Sequence, residues 1–424
     1  MSRWMSVCMI VILAVPGAAG AAGRVDQHMV DLVVSGKIKV ARASWWGFDA
    51  EDSTDALQAA INSGAKRLAV DNVGKPWVVR PITLAGNQTI VFSPGVEVIA
   101  KRGEFKGKSD CLFRGTAKEN ITLIGYGATL RMHRSDYDGP DYEKAEWRHV
   151  LSFHGCSNIK VYGLTLAESG GDGIYLGSSP NGVTNKSIHI KNVTCARNYR
   201  QGISVITAED LLIENTVMRD TAGTSPQAGI DFEPNHPQER LVNVVMRNCT
   251  TQGNKGDGYE LYLPPLDATS EPVSIRIENC RSIDDGMCSV RVATGNRPGK
   301  AVKGSVEFLN CTFQAGRRIG VLIWNKPSTG CKVRFENCSI LDAAWDRTNP
   351  APIVFRNAKD ATEPIGGVEF DRCLVRDSVD RKPIAYEDAA GGVPVQGVSG
   401  TIILERGGKR DEIEVTPGML GKQP

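Results

Sequence analysis

The chain has 424 residues, 41% of them hydrophobic and 23% charged, enough to bury a large core and without a bias toward disorder. Lys and Arg number 50 against 48 Asp and Glu, and this net charge of +2 marks neither a nucleic-acid partner nor a membrane surface. The 45 glycines, against 6% aromatic residues, favour many turns over long helices.

Residues 1–22 read as a signal peptide, with Arg3 as the basic start, Val7 to Val15 as the apolar core and small residues after Pro16. That core is too short to span a bilayer, and no later segment is long and apolar enough. A secreted or periplasmic protein without a membrane partner is expected. Residues 23–100 form an N-terminal cap and the first coils. In FDAEDSTDALQAAI (48–61), Ser53 or Thr54 can cap a short helix whose apolar face is Ala56, Leu57, Ala60 and Ile61. Such a helix would cover the open end of a stack of coils.

From 101 to 405 one pattern repeats. NITLIG (120–125), NIKVYG (158–163), SIHIKN (187–192) and six later copies, ending with GVEFDR (367–372), follow each other every 23 to 38 residues. A second pattern trails the first: DGIYLG (172–177), QGISVI (201–206), AGIDFE (228–233), DGYELY (257–262), CSVRVA (288–293), IGVLIW (319–324) and APIVFR (351–356). Both alternate with period two, as strands with one buried face do. A spacing near 23 residues with loop insertions is one coil of a parallel β-solenoid. Residues 406–424 are left as a C-terminal tail.

Two columns of the first pattern are structural. Asn192, Asn215, Asn248, Asn279, Asn310 and Asn337 share one position and suit a stacked coil turn. Cys249, Cys280, Cys311, Cys338 and Cys373 follow them as small buried hydrophobes, poorly placed for disulfides and not spaced as a metal site. Ten cysteines remain beyond Cys8, compatible with a few bridges and requiring none.

The cap, the segment PITLAGNQTIVFSPGVEVIA (81–100) and the repeating coils resemble the pectate-lyase-like superfamily, nearest to polygalacturonase-like glycosidases (glycoside hydrolase family 28 and relatives). The resemblance implies an all-β, right-handed parallel β-helix with a short N-terminal capping helix, and a carbohydrate-active enzyme. Asp172 in GGDGIYLG fits the family's acid before Gly-Ile. The next coil reads Arg200-Gln201-Gly202 where the family has an Asp-Asp pair, and the family's Gly-His-Gly and Arg-Ile-Lys signatures are absent, so no other family residue carries over.

Aligning the second pattern points Tyr175, Ser204, Asp231, Glu260, Arg291 and Leu322 outward in one column, with Gly177, Ile206, Glu233, Tyr262, Ala293 and Trp324 in the next. Asp231, Glu233 and Glu260 are the candidate catalytic acids. Asp172, Tyr175, His236, Asp257, Tyr262, Arg291 and Trp324 are the candidate substrate contacts. Adjacent strands lie about 4.8 Å apart and residues i and i+2 about 6.6 Å apart. Carboxyl pairs at such spacings serve both retaining and inverting glycosidases. Arg197, Arg200 and Arg240 read as solvated surface or as subsite contacts. The insertion 131–150, with Tyr137, Tyr142, Trp147 and His149, reads as a groove wall or an ordinary surface loop.

These readings favour a glycoside hydrolase with a polysaccharide or oligosaccharide substrate and no cofactor or resident metal. The alternatives are a polysaccharide lyase or uronate C5-epimerase, for which Ca²⁺ on the acids or Arg291 would neutralise the uronate, and a non-catalytic glycan-binding surface protein.

Overall fold

The structure is a computed structural model that describes residues 23–420; the expected signal peptide, residues 1–22, lies outside the described residues. Among those described, no helix is long and apolar enough to cross a membrane.

The chain winds into a parallel β-solenoid of about twelve coils. A full coil holds three strands, one more than the sequence patterns reveal: Ala208–Glu214, Val217–Arg219 and Ile230–Phe232 make one, and Leu241–Arg247, Thr250–Gln252 and Tyr259–Tyr262 the next. The overlooked middle strands are three residues long, too short for alternation to show. All pair in parallel and in register with their counterparts one coil away. The second pattern builds a sheet of eleven parallel strands, from Ile82–Thr83 to Ile384–Glu387.

Register makes the core columnar. Ile188, Leu211, Val244, Ile275, Val306, Val333 and Val368 pair in succession and are all buried. Across the interior, Ile174, Ile203, Ile230, Tyr259, Val290 and Val321 do the same. Between the first two strands of a coil the chain turns sharply at the asparagine column, with φ of 55° at Asn192, 49° at Asn215 and 55° at Asn248. Asparagine tolerates this left-handed region better than most residues. Neighbouring amides bond along the column, Asn248 Nδ2 donating to Asn215 Oδ1 at 3.3 Å. The cysteines that follow are buried, and all ten described cysteines are free thiols. Their Sγ atoms point at backbone carbonyls, as Cys249 does at Ile213 (3.4 Å).

Two helices close the N-terminal end, α1 at Gln27–Val34, which the sequence patterns miss, and α2 at Thr54–Asn62. Leu57, Ala60 and Ile61 of α2 are buried as expected, but Ser53 makes no side-chain cap. Asp52 accepts from the Thr54 N–H (3.0 Å) and hydroxyl instead. Burial opposes its charge, yet the bonds from Thr54 and Lys101 outweigh that and lower its pKa to about 2. At the other end, Val395–Arg406 and Lys409–Glu414 form an antiparallel hairpin, so an ordered strand lies in the segment assigned to the tail.

Phe335 stacks between Phe308 (centroids 4.8 Å apart) and Phe370 (5.3 Å) in the interior. Phe335→Ala is expected to lower the free energy of unfolding by about 3–5 kcal/mol, read from urea denaturation, because rigid neighbouring coils cannot collapse onto the cavity.

Candidate functional site

Six strands of the eleven-stranded sheet carry the candidate residues or adjoin the turns that do: β1 (Ile174–Gly177), β2 (Ile203–Val205), β3 (Ile230–Phe232), β4 (Tyr259–Tyr262), β5 (Cys288–Ala293) and β6 (Ile319–Trp324). Tyr175, Ser204, Asp231, Glu260, Arg291 and Leu322 pair in sequence across them, the column that alignment of the repeats predicts. A glycine precedes each of β1 to β4. At Gly202 a Cβ would lie 2.3 Å from the Gly229 carbonyl oxygen, so only glycine lets these turns stack.

The outward column is acidic yet sealed. Asp231 has no exposed surface, and Gln201 Nε2 donates to its Oδ2 at 2.8 Å while Oδ1 has no partner. This corrects the expectation that Asp231 faces open groove: Glu233, Glu260 and Arg200 interact with its carboxyl, and no part of it meets solvent. Glu260 is 4% exposed, with Oε1 3.3 Å from Arg291 Nη1 and Oε2 unpartnered. Arg291 also places Nε 2.7 Å from Asp257 Oδ2, in ion contact but out of hydrogen-bond alignment. Asp257 Oδ1 accepts the Cys288 N–H at 2.7 Å. Glu233 keeps 23% of its side chain exposed and accepts from Arg200 Nη2 at 2.7 Å.

These contacts divide the protons. Burial, reinforced by Asp257 and Glu233 against Arg291, pushes Glu260 up to about 8. Burial, then Glu260 and Glu233, holds Asp231 well above the usual carboxylate range. Burial also raises Asp257, against the pull of Arg291. For Arg200, burial disfavours the charge but Asp172, Glu233 and Asp231 more than offset it, so the guanidinium stays charged.

Asp172 sits at the turn before β1, fully buried, with neither carboxyl oxygen hydrogen-bonded. Its N–H donates to His149 Nδ1 (3.0 Å), and His149 stacks on Tyr175 with centroids 4.5 Å apart. Tyr262 and Trp324 stack at 6.5 Å along the second outward column. His236 does not join the group. It is exposed on a loop held by Glu239, which accepts its backbone N–H at 3.1 Å. Arg197 pairs with Glu168 (2.8 Å) and Arg240 with Glu209 (3.7 Å), both away from the acids.

Arg200, Gln201 and His149 are the residues that sequence reasoning underrated. Gln201 occupies the position before glycine that holds Asp172 and Asp257 in neighbouring coils, a signal that could have found it. The insertion is anchored through Arg148. Arg148, with no exposed surface, donates to the carbonyls of Phe105 (2.8 Å), Lys106 (3.1 Å) and Glu143 (2.6 Å) and lies against Tyr137 and Tyr142. Trp147 remains 46% exposed. Among the described residues, no cluster of three or more His, Cys, Asp or Glu is arranged to hold a metal ion.

Residues 149–342 match a family model described as a right handed beta helix region. A stretch of 188 residues is 27% identical to the uncharacterized protein YclG of Bacillus subtilis (strain 168), covering 41% of this chain and 32% of that protein. The match therefore spans about a third of that relative's length. Among solved structures, the A-module of an Azotobacter vinelandii mannuronan C-5 epimerase superposes with a TM-score of 0.62 at 16% identity, over 85% of this chain and 93% of that one. A Yersinia enterocolitica family 28 exopolygalacturonase gives 0.55 at 12%, over 88% and 76%. The catalytic domain of a GH87 α-1,3-glucanase gives 0.59 at 11%, over 91% and 63%. At these identities the likeness establishes the fold, a right-handed parallel β-helix.

The raised Glu260 pKa has a consequence for stability. Between about pH 4.5 and 8 the unfolded chain has released this proton while the folded chain keeps it, so stability falls as pH rises through that window and levels off above it. Comparing urea unfolding at pH 5 and 8.5, the wild-type protein is expected to lose on the order of 2–4 kcal/mol more than Glu260→Gln, which cannot ionise. Equal losses would place Glu260 in the ordinary range.

Proposed function

We propose that this protein is a glycoside hydrolase cleaving an oligosaccharide or polysaccharide laid across the eleven-stranded sheet. The observation that carries this reading is a pair of acids in opposite settings. Glu260 is buried and keeps its proton to about pH 8, whereas Glu233 reaches solvent in an ion pair with Arg200. One rung and two residues separate their backbones, a diagonal of about 8 Å. That falls in the range that leaves room for a water between acid and base in inverting enzymes.

In this reading Glu260 donates its proton to the glycosidic oxygen as the bond to the anomeric carbon breaks. Water attacks that carbon from the opposite face, and the Glu233 carboxylate accepts its proton. Asp231 is a positioning residue beneath both. Tyr262 and Trp324 offer a stacked aromatic surface to sugar rings. The names of the similar solved structures, an exopolygalacturonase, an α-1,3-glucanase and a mannuronan epimerase, support a carbohydrate substrate. The apolar leader supports action outside the cytoplasm. Burial and Asp172 raise the Tyr175 pKa above the usual tyrosine value, which keeps its phenol protonated and leaves little phenolate to act as the base of a lyase or epimerase.

A polysaccharide panel followed by reducing-end release and by ultraviolet absorbance of unsaturated uronates separates the possibilities. New reducing ends without absorbance are expected, with anomeric inversion by proton NMR and a rate that falls above about pH 8. Glu260→Gln and Glu233→Gln should each lower kcat by about 10²–10⁴-fold. Rising absorbance would establish a lyase, and activity surviving in the double variant would discard this acid pair.

A further inference from the structure

Gln201 stands immediately before Gly202, the place that Asp172 and Asp257 hold in neighbouring coils, and of these three it alone cannot ionise. It has no exposed surface. The Ala228 N–H donates to its Oε1 at 3.0 Å, and a backbone N–H can meet only the oxygen end of an amide. The amide is thereby oriented at Asp231 as well, where Nε2 donates to Oδ2 at 2.8 Å. A carboxylate in this place would accept from Ala228 and have nothing to donate to Asp231.

That bond decides where Asp231 can hold a proton. Oδ2 already faces an N–H, so the proton of the neutral acid sits on Oδ1, which is buried and has no partner. The register neighbours of Asp231 are Ser204 and Glu260, on strands about 4.8 Å away. Glu260 turns Oε1 to Arg291, and its Oε2 is likewise buried and unpartnered. An O–H that meets a carboxylate oxygen across one rung makes a short, charge-assisted bond. Ser204 Oγ, also unpartnered, is the rival acceptor, but it carries no charge. Asp231 is in the state such a bond needs: burial, then the charges of Glu260 and Glu233, oppose its ionisation more than Arg200 favours it.

We propose that Gln201 is a positioning residue that locks Asp231 as a neutral donor, with its Oδ1–H aimed at Oε2 of Glu260. The hydrogen bond forms as Glu260 loses its proton, and it stabilises the carboxylate left behind. Its benefit to catalysis rests on the hydrolase reading, in which Glu260 protonates the leaving oxygen; the bond itself does not. No proton leaves Asp231 in this step, which accords with a carboxyl sealed from solvent. Arg200, Glu233 and Asp257 act on both acids and Arg291 on Glu260, so a test must leave these four in place.

Carbon-13 NMR of the whole protein labelled at glutamate carboxyls follows the titration of Glu260, identified by the signal missing from Glu260→Gln. In Asp231→Asn the side-chain oxygen can accept from Gln201 and Nδ2 can donate to Glu260, so the Glu260 midpoint is expected to keep its wild-type value. In Asp231→Leu the donor is gone and in Gln201→Met it is unaimed, so both midpoints are expected to rise by about half a unit or more. Cooperative urea unfolding checks that each variant is folded. A midpoint that falls in Asp231→Asn would show Asp231 ionised in the wild-type protein. Equal midpoints in Asp231→Asn and Asp231→Leu would show that no bond reaches Glu260, and a wild-type midpoint in Gln201→Met that Gln201 aims nothing. Any of the three overturns the proposal. On a cleaved glycan, kcat of Asp231→Leu is expected to lie about tenfold or more below that of Asp231→Asn. Midpoints that move as expected in a protein that cleaves nothing would discard the hydrolase and keep the bond. Cleavage with unmoved midpoints would do the reverse.

Discussion

In-register parallel stacking is the constraint on which the rest of this structure depends. Strands about 4.8 Å apart place each residue directly over its counterpart one coil away, so whatever occupies a position is repeated as a column. For apolar positions the repetition is favourable, giving unbroken stacks such as Phe308, Phe335 and Phe370. For Asn192, Asn215 and Asn248 it turns a sharp corner into a bonded ladder. The same rule forces unlike requirements together wherever a functional residue enters the repeat.

The acidic column shows that conflict. Asp231 and Glu260 are direct register partners, and like charges opposed across a sheet repel. The fold answers with two arginines and retained protons. Arg200 pairs with Glu233, and Arg291 is shared between Asp257 and Glu260, but burial outweighs both guanidiniums, so Asp231 and Glu260 hold hydrogen where they would otherwise ionise. The answer is incomplete, since Asp172, Ser204, Asp231 and Glu260 all keep buried oxygens without partners. Each such atom costs about 1–3 kcal/mol. The stacked core tolerates that concentration, and sites of chemistry are where such costs collect.

Legibility followed periodicity. Two strands per coil, the inward and outward columns and the helix at 54–62 all announce themselves by alternation or helical spacing. The middle strands, such as Val217–Arg219, do not, because three residues cannot show a period. Ser53 or Thr54 reads as the helix cap, since a hydroxyl before an apolar face is the usual sign. The deciding bonds run from Thr54 to Asp52, which Arg80 and Lys101 steady from distant turns. Arg200 reads as a surface residue in its loop, and only the neighbouring coil brings Glu233 within 2.7 Å of it.

The sequence by itself determined the architecture and which residues share a column, because a repeat with period-two alternation has one way to bury its apolar face. It also determined that Asp231, Glu233 and Glu260 are neighbours. Tertiary structure alone decided which of them meets solvent, which keeps a proton and which arginine serves each. Those properties depend on burial and on charges from other coils, and neither is written in the spacing of the residues that bear them.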